Sequence, residues 1–227
     1  MAAQVLDNIV WHCLAGPHAH LAAGTPAARR YARGFSPILG FARPEAPALE
    51  AIAPFCEPGE HLYCAGWSGS APAGWTIDAD AAGQQYVWDA PPPAADDALA
   101  ATRLGPADVA QMVALVERMQ PGPFAARTHE LGCYYGVFDG ERLVAMAGER
   151  MAAGVFREIS GVCTHPDVQG RGYARRLVAR LVREEIARGE TPILHVMQDN
   201  APARRVYERM GFRHHQDLRI RVLSRTA

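Results

Sequence analysis

The pattern of predicted elements between residues 102 and 223 indicates an α/β fold in which helices flank a mixed sheet. Two observations lead to this prediction. Apolar residues recur at helical spacing in three segments, each of which ends at glycine or at a proline–glycine turn. Short apolar or aromatic runs typical of strands lie around these segments, and two of them flank the tight turn Asp139-Gly140.

Three amphipathic helices are predicted after residue 100. Their apolar residues recur every three or four positions and so occupy one face of each helix. Pro121-Gly122-Pro123 ends the first helix, Gly189 the second and Gly211 the third. The expected helices cover residues 105–120, 174–188 and 202–210.

Six strands accompany these helices, so that the order is strand, helix, three strands, helix, strand, helix and strand. The second and third strands form a hairpin around Asp139-Gly140. The expected strands cover residues 102–104, 134–138, 143–151, 156–164, 193–196 and 218–223.

The first 100 residues give weaker signals. A short helix is predicted over 46–55, and strands over 61–66 and 84–88. Residues 90–97, A-P-P-P-A-A-D-D, read as a linker. The chain is therefore predicted to consist of an N-terminal part, residues 1–95, and a main domain, residues 100–227.

Charge separates the two parts of the chain. All 23 Lys+Arg residues are arginine, which excludes a P-loop lysine and a Schiff-base lysine. The net charge is −1, which gives no indication of nucleic-acid binding. Residues 1–100 carry 4 Arg and 10 Asp/Glu, whereas residues 101–227 carry 19 Arg and 14 Asp/Glu. An anionic ligand is therefore expected in the second part.

The chain reads as a cytoplasmic, soluble protein. Its five cysteines are odd in number and lack the spacing of metal ligands, so we expect free thiols and no metal. No secretory leader pattern and no apolar run of membrane-spanning length occurs in the sequence, so no membrane partner is expected.

The stretch V-C-T-H-P-D-V-Q-G-R-G-Y-A-R-R-L, residues 162–177, indicates a phosphate site. A strand is expected to end at Thr164, and a helix begins after a loop that contains Gly170 and Gly172. Unpaired amides and the positive end of the helix dipole favour an anion there. A plain strand-to-helix turn would use the same glycines. A dinucleotide-binding fold fits less well, because its glycine motif follows the first strand of a βαβ unit and here a hairpin precedes it.

Two motifs in this region resemble those of the GNAT superfamily of N-acyltransferases. Q-G-R-G-Y-A fits the pattern Q/R-x-x-G-x-G/A, and N-A-P-A-R-R-V-Y-E-R-M-G-F fits N-x-x-A-x-x-x-Y-x-x-x-G-F. The resemblance covers residues 100–223 and leaves out the first 95. The positions that match the two patterns are Gln169, Gly172, Ala174, Asn200, Ala203, Tyr207, Gly211 and Phe212.

The resemblance implies a mixed, mostly antiparallel sheet and an acyl-CoA co-substrate, usually acetyl-CoA. It places the co-substrate in a V-shaped gap between the strand that ends at Thr164 and the strand at 193–196. The pantetheine arm would pair with backbone like an added strand, and the pyrophosphate would sit on the loop amides. The implied cofactor-binding residues are Val162, Cys163, Thr164, Gln169, Gly170, Arg171, Gly172, Tyr173, Ala174, Arg175, Asn200 and Tyr207.

The resemblance also implies catalytic roles for two residues. Tyr207 matches the tyrosine that protonates the CoA sulfur in many relatives, and Glu158 matches a glutamate that acts as general base in one branch. Glu149 is an alternative base, and a chain of water molecules would need none. Cys163 and His195 are interpreted as structural, and Asn200 could equally cap a helix.

The acceptor site would be built from the loop before residue 134, the hairpin and the chain end. Tyr134 and Tyr135 are the predicted substrate-binding residues, with Phe124, Arg127 and His129 beside them. They could hold a small amine or the amino terminus of a peptide.

The sequence leaves the function of the chain and the role of its N-terminal part open. The leading hypothesis is an acetyl-CoA-dependent N-acetyltransferase; a non-catalytic acyl-CoA-binding regulatory module and a nucleotide-binding protein are the alternatives. The N-terminal part could cover a sheet edge or form a degenerate acyltransferase-like lobe. An exposed edge strand could support a homodimer.

Overall fold

Six helices are arranged around a large sheet in the computed structural model, which describes residues 2–226. The helices are α1 (Ala2–Asp7), α2 (Ile9–Ala15), α3 (Leu49–Ile52), α4 (Val109–Met119), α5 (Tyr173–Ala187) and α6 (Ala201–Met210). Helices α4 and α5 bury an apolar stripe, α6 packs partly buried apolar residues against the core, and short 3-10 turns precede or follow several elements.

Eleven strands form two sheets within the described residues. The order predicted from residue 102 onward is confirmed. The strands are β1 (Ala22–Gly24), β2 (Ala28–Tyr31), β3 (Leu39–Phe41), β4 (Leu62–Ala65), β5 (Trp75–Trp88), β6 (Thr102–Arg103), β7 (Tyr134–Asp139), β8 (Arg142–Ala153), β9 (Phe156–Thr164), β10 (Thr191–Met197) and β11 (Phe212–Arg225).

The large sheet has the strand order β4-β11-β5-β10-β9-β8-β7-β6, and β1, β2 and β3 form a separate antiparallel sheet. Only the β9–β10 pair of the large sheet is parallel, and α5 makes the crossover between these two strands. The predicted mixed, mostly antiparallel sheet with flanking helices is therefore confirmed.

The two faces of the large sheet carry different layers, because successive residues of a strand point to opposite sides. On β7, Tyr135 packs with α5 and α6, whereas Tyr134 packs with α4. The N-terminal helices α1 and α2 and strand β2 contribute a further apolar cluster that includes Phe156 of β9 and Ile193 of β10. Helix α5 is the best-buried helix, since Leu177, Val178, Leu181 and Val182 are all inaccessible to solvent.

Strands from both sides of the predicted linker interleave in the large sheet. β5 lies between β11 and β10, and β4 lies at the edge beside β11. The division at residues 95–100 stays a prediction for the chain, but the sheet is continuous across it. The linker itself is extended and tied to α5, where Arg176 binds Asp96 at 2.5 and 2.9 Å and Arg183 donates to the Ala94 carbonyl.

Two strands are longer than predicted by eight or more residues. β5 begins at Trp75 instead of residue 84, and β11 runs over 212–225 instead of 218–223. Each extra segment pairs mainly with the predicted part of the other strand: residues 212–217 pair with 84–88, and residues 77–83 pair with 218–223. Their side chains are largely polar or small and exposed, as in D-A-D-A-A, so they lack the apolar alternation that indicates a strand. These segments are strands because their backbones pair with a long neighbouring strand.

Candidate functional site

The parallel strands β9 and β10 separate halfway along their length. They pair from Thr191↔Phe156 to Leu194↔Ile159, after which β10 pairs with β5 and β9 with β8. A register shift between β8 and β9 coincides with Gly161, whose φ is +62°. Among residues 2–226, no strand pairs with the β10-facing edge of residues 160–164. The two strands therefore enclose a V-shaped gap whose inner edge offers free backbone groups.

The loop after β9 leads directly to the amino terminus of α5. Gly170 and Gly172 have φ values of +80° and +77°, and, apart from the flanking residues, no atom of the described chain lies within 4 Å of a Cβ built on either. The backbone conformation therefore requires glycine, and the space beside both residues is open. Gly172 is the N-cap of α5, and no side chain of the described residues caps the helix there. The first amides and the positive dipole end of α5 remain available.

The residues predicted for a cofactor surround this gap and loop. Val162, Cys163 and Thr164 form the free edge of β9, and residues 169–175 form the loop and the first turn of α5. Arg171 and Arg175 are exposed, whereas Arg176 is held by Asp96. Asn200 accepts a hydrogen bond from the Ala203 amide at 3.2 Å and therefore caps α6, one of the two roles expected for it.

Tyr207 lies on α6 and packs against the core cluster beneath α5 and α6. Its ring meets Phe212 edge to face at 5.9 Å between centroids. Burial, with a smaller contribution from the Cys163 thiol, raises the pKa of Tyr207 to about 12. The phenol therefore keeps its proton at neutral pH and can act as a donor.

Glu158 lies in a buried polar cluster on β8, β9 and β10. Its carboxylate accepts two hydrogen bonds from Arg150, at 2.7 and 2.9 Å, and contacts His195 Nδ1 at 2.8 Å. Burial opposes ionisation, but the Arg150 charge and the hydrogen bonds from His195 and Arg150 outweigh it and lower the pKa of Glu158 to about 2. Both oxygens of Glu158 are thus occupied by cationic or donor groups.

A chain of amides fixes the tautomer of His195. Gln85 Nε2 lies 3.3 Å from the Leu6 carbonyl and 3.0 Å from His195 Nε2, while its Oε1 accepts from Gln216. Because Nε2 of Gln85 is a donor, Nε2 of His195 must be the acceptor. His195 then donates its Nδ1 proton to Glu158, in keeping with the structural role predicted for it.

Of the predicted acceptor residues, the structure brings only Tyr134 and Phe124 together, with ring centroids 5.8 Å apart. Tyr135 points to the other face, where its hydroxyl donates to Glu184 at 2.8 Å. Arg127 lies over the Phe35 ring and pairs with Glu130. The alternative base Glu149 is bound by Arg188 and by the Cys133 amide.

Arg150 is the contributor to this site that sequence reasoning missed. It is an arginine within the long buried strand β8, and only 9% of it is exposed. A charged residue inside an apolar run needs a buried partner, and that signal is readable in the sequence. The identity of the partner, Glu158 on the next strand, requires the register.

The described residues contain neither a candidate metal site nor a helix that could span a membrane. Residues 2–226 contain no group of three His, Cys, Asp or Glu side chains placed to hold a metal ion. Within the same range, no helix has the length and apolar character to cross a bilayer.

Known proteins match both the region of the site and the whole chain. The family model described as FR47-like protein matches residues 134–222, which run from the start of β7 into β11. A GNAT-family protein from Novosphingobium aromaticivorans DSM 12444 is 35% identical, with 98% of this chain and 99% of that chain covered, and superposes with a TM-score of 0.88.

Two more distant structures share the fold. The GCN5-related N-acetyltransferase from Kribbella flavida is 16% identical, covers 100% of this chain and 96% of its own, and has a TM-score of 0.63. A conserved protein of unknown function from Staphylococcus epidermidis ATCC 12228 is 13% identical, with coverages of 90% and 93% and a TM-score of 0.55. The full-length match at 35% identity extends the likeness to the N-terminal part, and the chain belongs to the GNAT acetyltransferase family.

Proposed function

We propose that this protein transfers an acetyl group from acetyl-CoA to a primary amine of a small molecule or peptide, by direct attack of the amine on the thioester. One observation carries the proposal: the gap between β9 and β10 opens beside the uncapped amino terminus of α5. The free edge of β9 suits an extended arm with amide groups, and the helix terminus suits phosphate. Acyl-CoA combines these two features in one molecule.

The residues at the gap fit such a ligand. Thr164 lies at the end of the free β9 edge. Its Oγ1 is buried and has no hydrogen-bond partner among the described residues. The amides of residues 169–174 and the exposed side chains of Arg171 and Arg175 surround the open space beside Gly170 and Gly172. A phosphate group there would gain both backbone and charge-assisted hydrogen bonds.

Acyl-CoA would supply an activated carbonyl group and a thiolate leaving group. Tyr207 holds a proton at its hydroxyl and packs from α6 in the cluster that includes Val162 of β9, so it is placed to protonate the departing sulfur. Its family position supports the same role.

The proton of the attacking amine must also leave. Glu158 matches the family's base, but a carboxylate with a pKa of about 2 and hydrogen bonds from Arg150 and His195 has little tendency to accept a proton at neutral pH. We therefore propose that water accepts the amine proton and that Glu158 holds Arg150 and His195 in position. A pH–rate profile of Glu158→Gln tests this: loss of the acidic limb would restore Glu158 as the base.

The cofactor site is tested by calorimetric titration of acetyl-CoA into Gly172→Asp and Gly189→Asp. Both glycines have positive φ, +77° and +76°, and both have open space at Cβ, so the backbone strain is matched. Only Gly172 lies at the amino terminus of α5; Gly189 follows its other end. We expect Gly172→Asp to abolish binding and Gly189→Asp to bind as the wild type does. Equal binding by both variants would place the cofactor elsewhere.

Catalysis is tested by release of free CoA in a panel of primary amines. Amine-dependent release supports the transferase, and tight binding without release for any amine supports the non-catalytic module.

A further inference from the structure

The hydroxyl of Tyr134 is buried without a partner at the point where β9 and β10 separate. Only 1% of Tyr134 is exposed, and its Oη has no hydrogen-bond partner among the described residues. A buried hydroxyl without a hydrogen bond destabilises the folded state, so phenylalanine would pack here at lower cost. The hydroxyl therefore points to a partner outside the chain.

Two glycines in the sheet leave room for the Tyr134 side chain to extend from β7 to β9. Tyr134 on β7 lies opposite Gly148 on β8, and Gly148 lies opposite Ser160 on β9. A Cβ at Gly148 would overlap the Tyr134 ring. A Cβ at Gly161 would lie 3.2 Å from Tyr134 Cε1 and 3.8 Å from its Oη. The ring thus crosses β8 over one glycine and ends at a second glycine on β9.

Gly161 marks the bulge just beyond Ile159↔Leu194, the last pair between β9 and β10. The hydroxyl therefore lies at the inner end of the gap. Tyr134 reaches it from the α4 face of the sheet, whereas Tyr207 belongs to the α6 face. The two phenols are placed to act on opposite sides of a group held at the bulge.

The side chain is also fixed in place. Phe124 contacts the ring edge to face at an interplanar angle of 79°, and Leu104, Met112 and Met146 belong to the same buried cluster. Burial raises the pKa of Tyr134 well above its usual range, so the hydroxyl remains a donor. A fixed donor that needs no reorganisation is what charge stabilisation in a transition state requires.

We propose that the Tyr134 hydroxyl donates a hydrogen bond to the carbonyl oxygen of the acyl-CoA thioester and stabilises the negative charge that develops there. The inference rests on the proposed function. When the amine nitrogen bonds to the carbonyl carbon, the π electrons of the C–O bond move onto this oxygen. They return to the C–O bond when the C–S bond breaks; the electron pair of that bond leaves with the sulfur, which takes a proton, and the amine nitrogen gives up a proton to water. Tyr134 keeps its own proton throughout.

The test uses Tyr134→Phe and compares acetyl-CoA with S-ethyl-CoA, a thioether that lacks the carbonyl oxygen. Because the unliganded hydroxyl is unpaired, the variant should fold with an undiminished melting temperature. We expect it to bind acetyl-CoA about fivefold more weakly than the wild type, with no change for S-ethyl-CoA. Tyr63→Phe, on the distant strand β4, is the control that should change neither affinity.

A second readout follows the hydrogen bond directly. In isotope-edited infrared spectra of bound acetyl-CoA labelled at the carbonyl carbon, the wild type should shift the C=O stretch to lower frequency. Tyr134→Phe should lose part of this shift, and kcat with an amine found by the panel should fall about 10²-fold.

The outcomes separate the two proposals. If the wild type binds no acetyl-CoA, both proposals fail. If it binds acetyl-CoA but Tyr134→Phe leaves the carbonyl frequency and the affinities unchanged, the acetyltransferase stands and the role of Tyr134 is overturned.

Discussion

Glu185 on α5 should oppose folding at neutral pH, and its replacement should stabilise the protein. The residue is inaccessible to solvent, and neither carboxyl oxygen has a hydrogen-bond partner among residues 2–226. Burial, followed by the charge of Glu149, raises the pKa of Glu185 from 4.5 to about 10. The folded protein therefore holds a proton that the unfolded chain loses near its ordinary pKa.

The sign and size follow from this difference. Below pH 4.5 Glu185 is neutral in both states, so the free energy of unfolding carries no penalty from its ionisation. As the pH rises from 4.5 toward 10, this free energy falls, because only the unfolded chain loses the proton. Each pH unit costs about 1.4 kcal/mol, so the penalty at pH 8 is about 5 kcal/mol. Since domains are stable by only about 5–15 kcal/mol, the effect should be large.

The variant Glu185→Gln matches the neutral acid in shape and does not ionise. We expect its free energy of unfolding in urea to equal that of the wild type near pH 4.5 and to exceed it by a growing margin up to pH 8. Glu117→Gln, at an exposed position of α4, should change stability little at any pH. A Glu185→Gln difference that is constant from pH 5 to pH 8 would refute the reasoning.

Three further changes test the site. Glu158→Gln should lower the free energy of unfolding by about 3–5 kcal/mol, because Arg150 stays buried without its carboxylate; adding Arg150→Met should recover most of that loss in urea titrations, and no recovery would argue against the ion pair as the cause. Gly148→Ala should lower the melting temperature, because the new methyl group overlaps the Tyr134 ring; an unchanged value would mean that the ring moves freely. Tyr207→Phe should leave the calorimetric affinity for acetyl-CoA unchanged and lower kcat about 10²-fold; an equal kcat would remove Tyr207 from proton delivery.

The sequence predicts best where one segment determines its own structure. The glycines at 170 and 172, the apolar stripe of α5 and the cap at Asn200 are local features, and each is found at its predicted position. The predicted gap was an inference from family motifs, and the register of β9 with β10 confirms it.

Features that depend on register were harder to predict. Tyr134 and Tyr135 are adjacent in sequence, but the pleat sends them to opposite faces, and only Tyr134 reaches the gap. The role expected of Glu158 depended on its surroundings, because a family motif gives the position of a carboxylate and not its ion partner Arg150. Elements before residue 45 gave no clear periodicity, since several are only three or four residues long.

The central position of β5 has a consequence for the order in which the protein can fold. β5 ends at Trp88, yet its two neighbours begin only at Thr191 and Phe212. At usual elongation rates the ribosome needs on the order of ten seconds to make the second of these. Until then at least one edge of β5 lacks its native partner, and contacts of such long sequence separation form slowly. The wall of the gap that contains β10 is therefore completed only after residue 197 has been made, and the newly made chain should depend on chaperones that cover open strands.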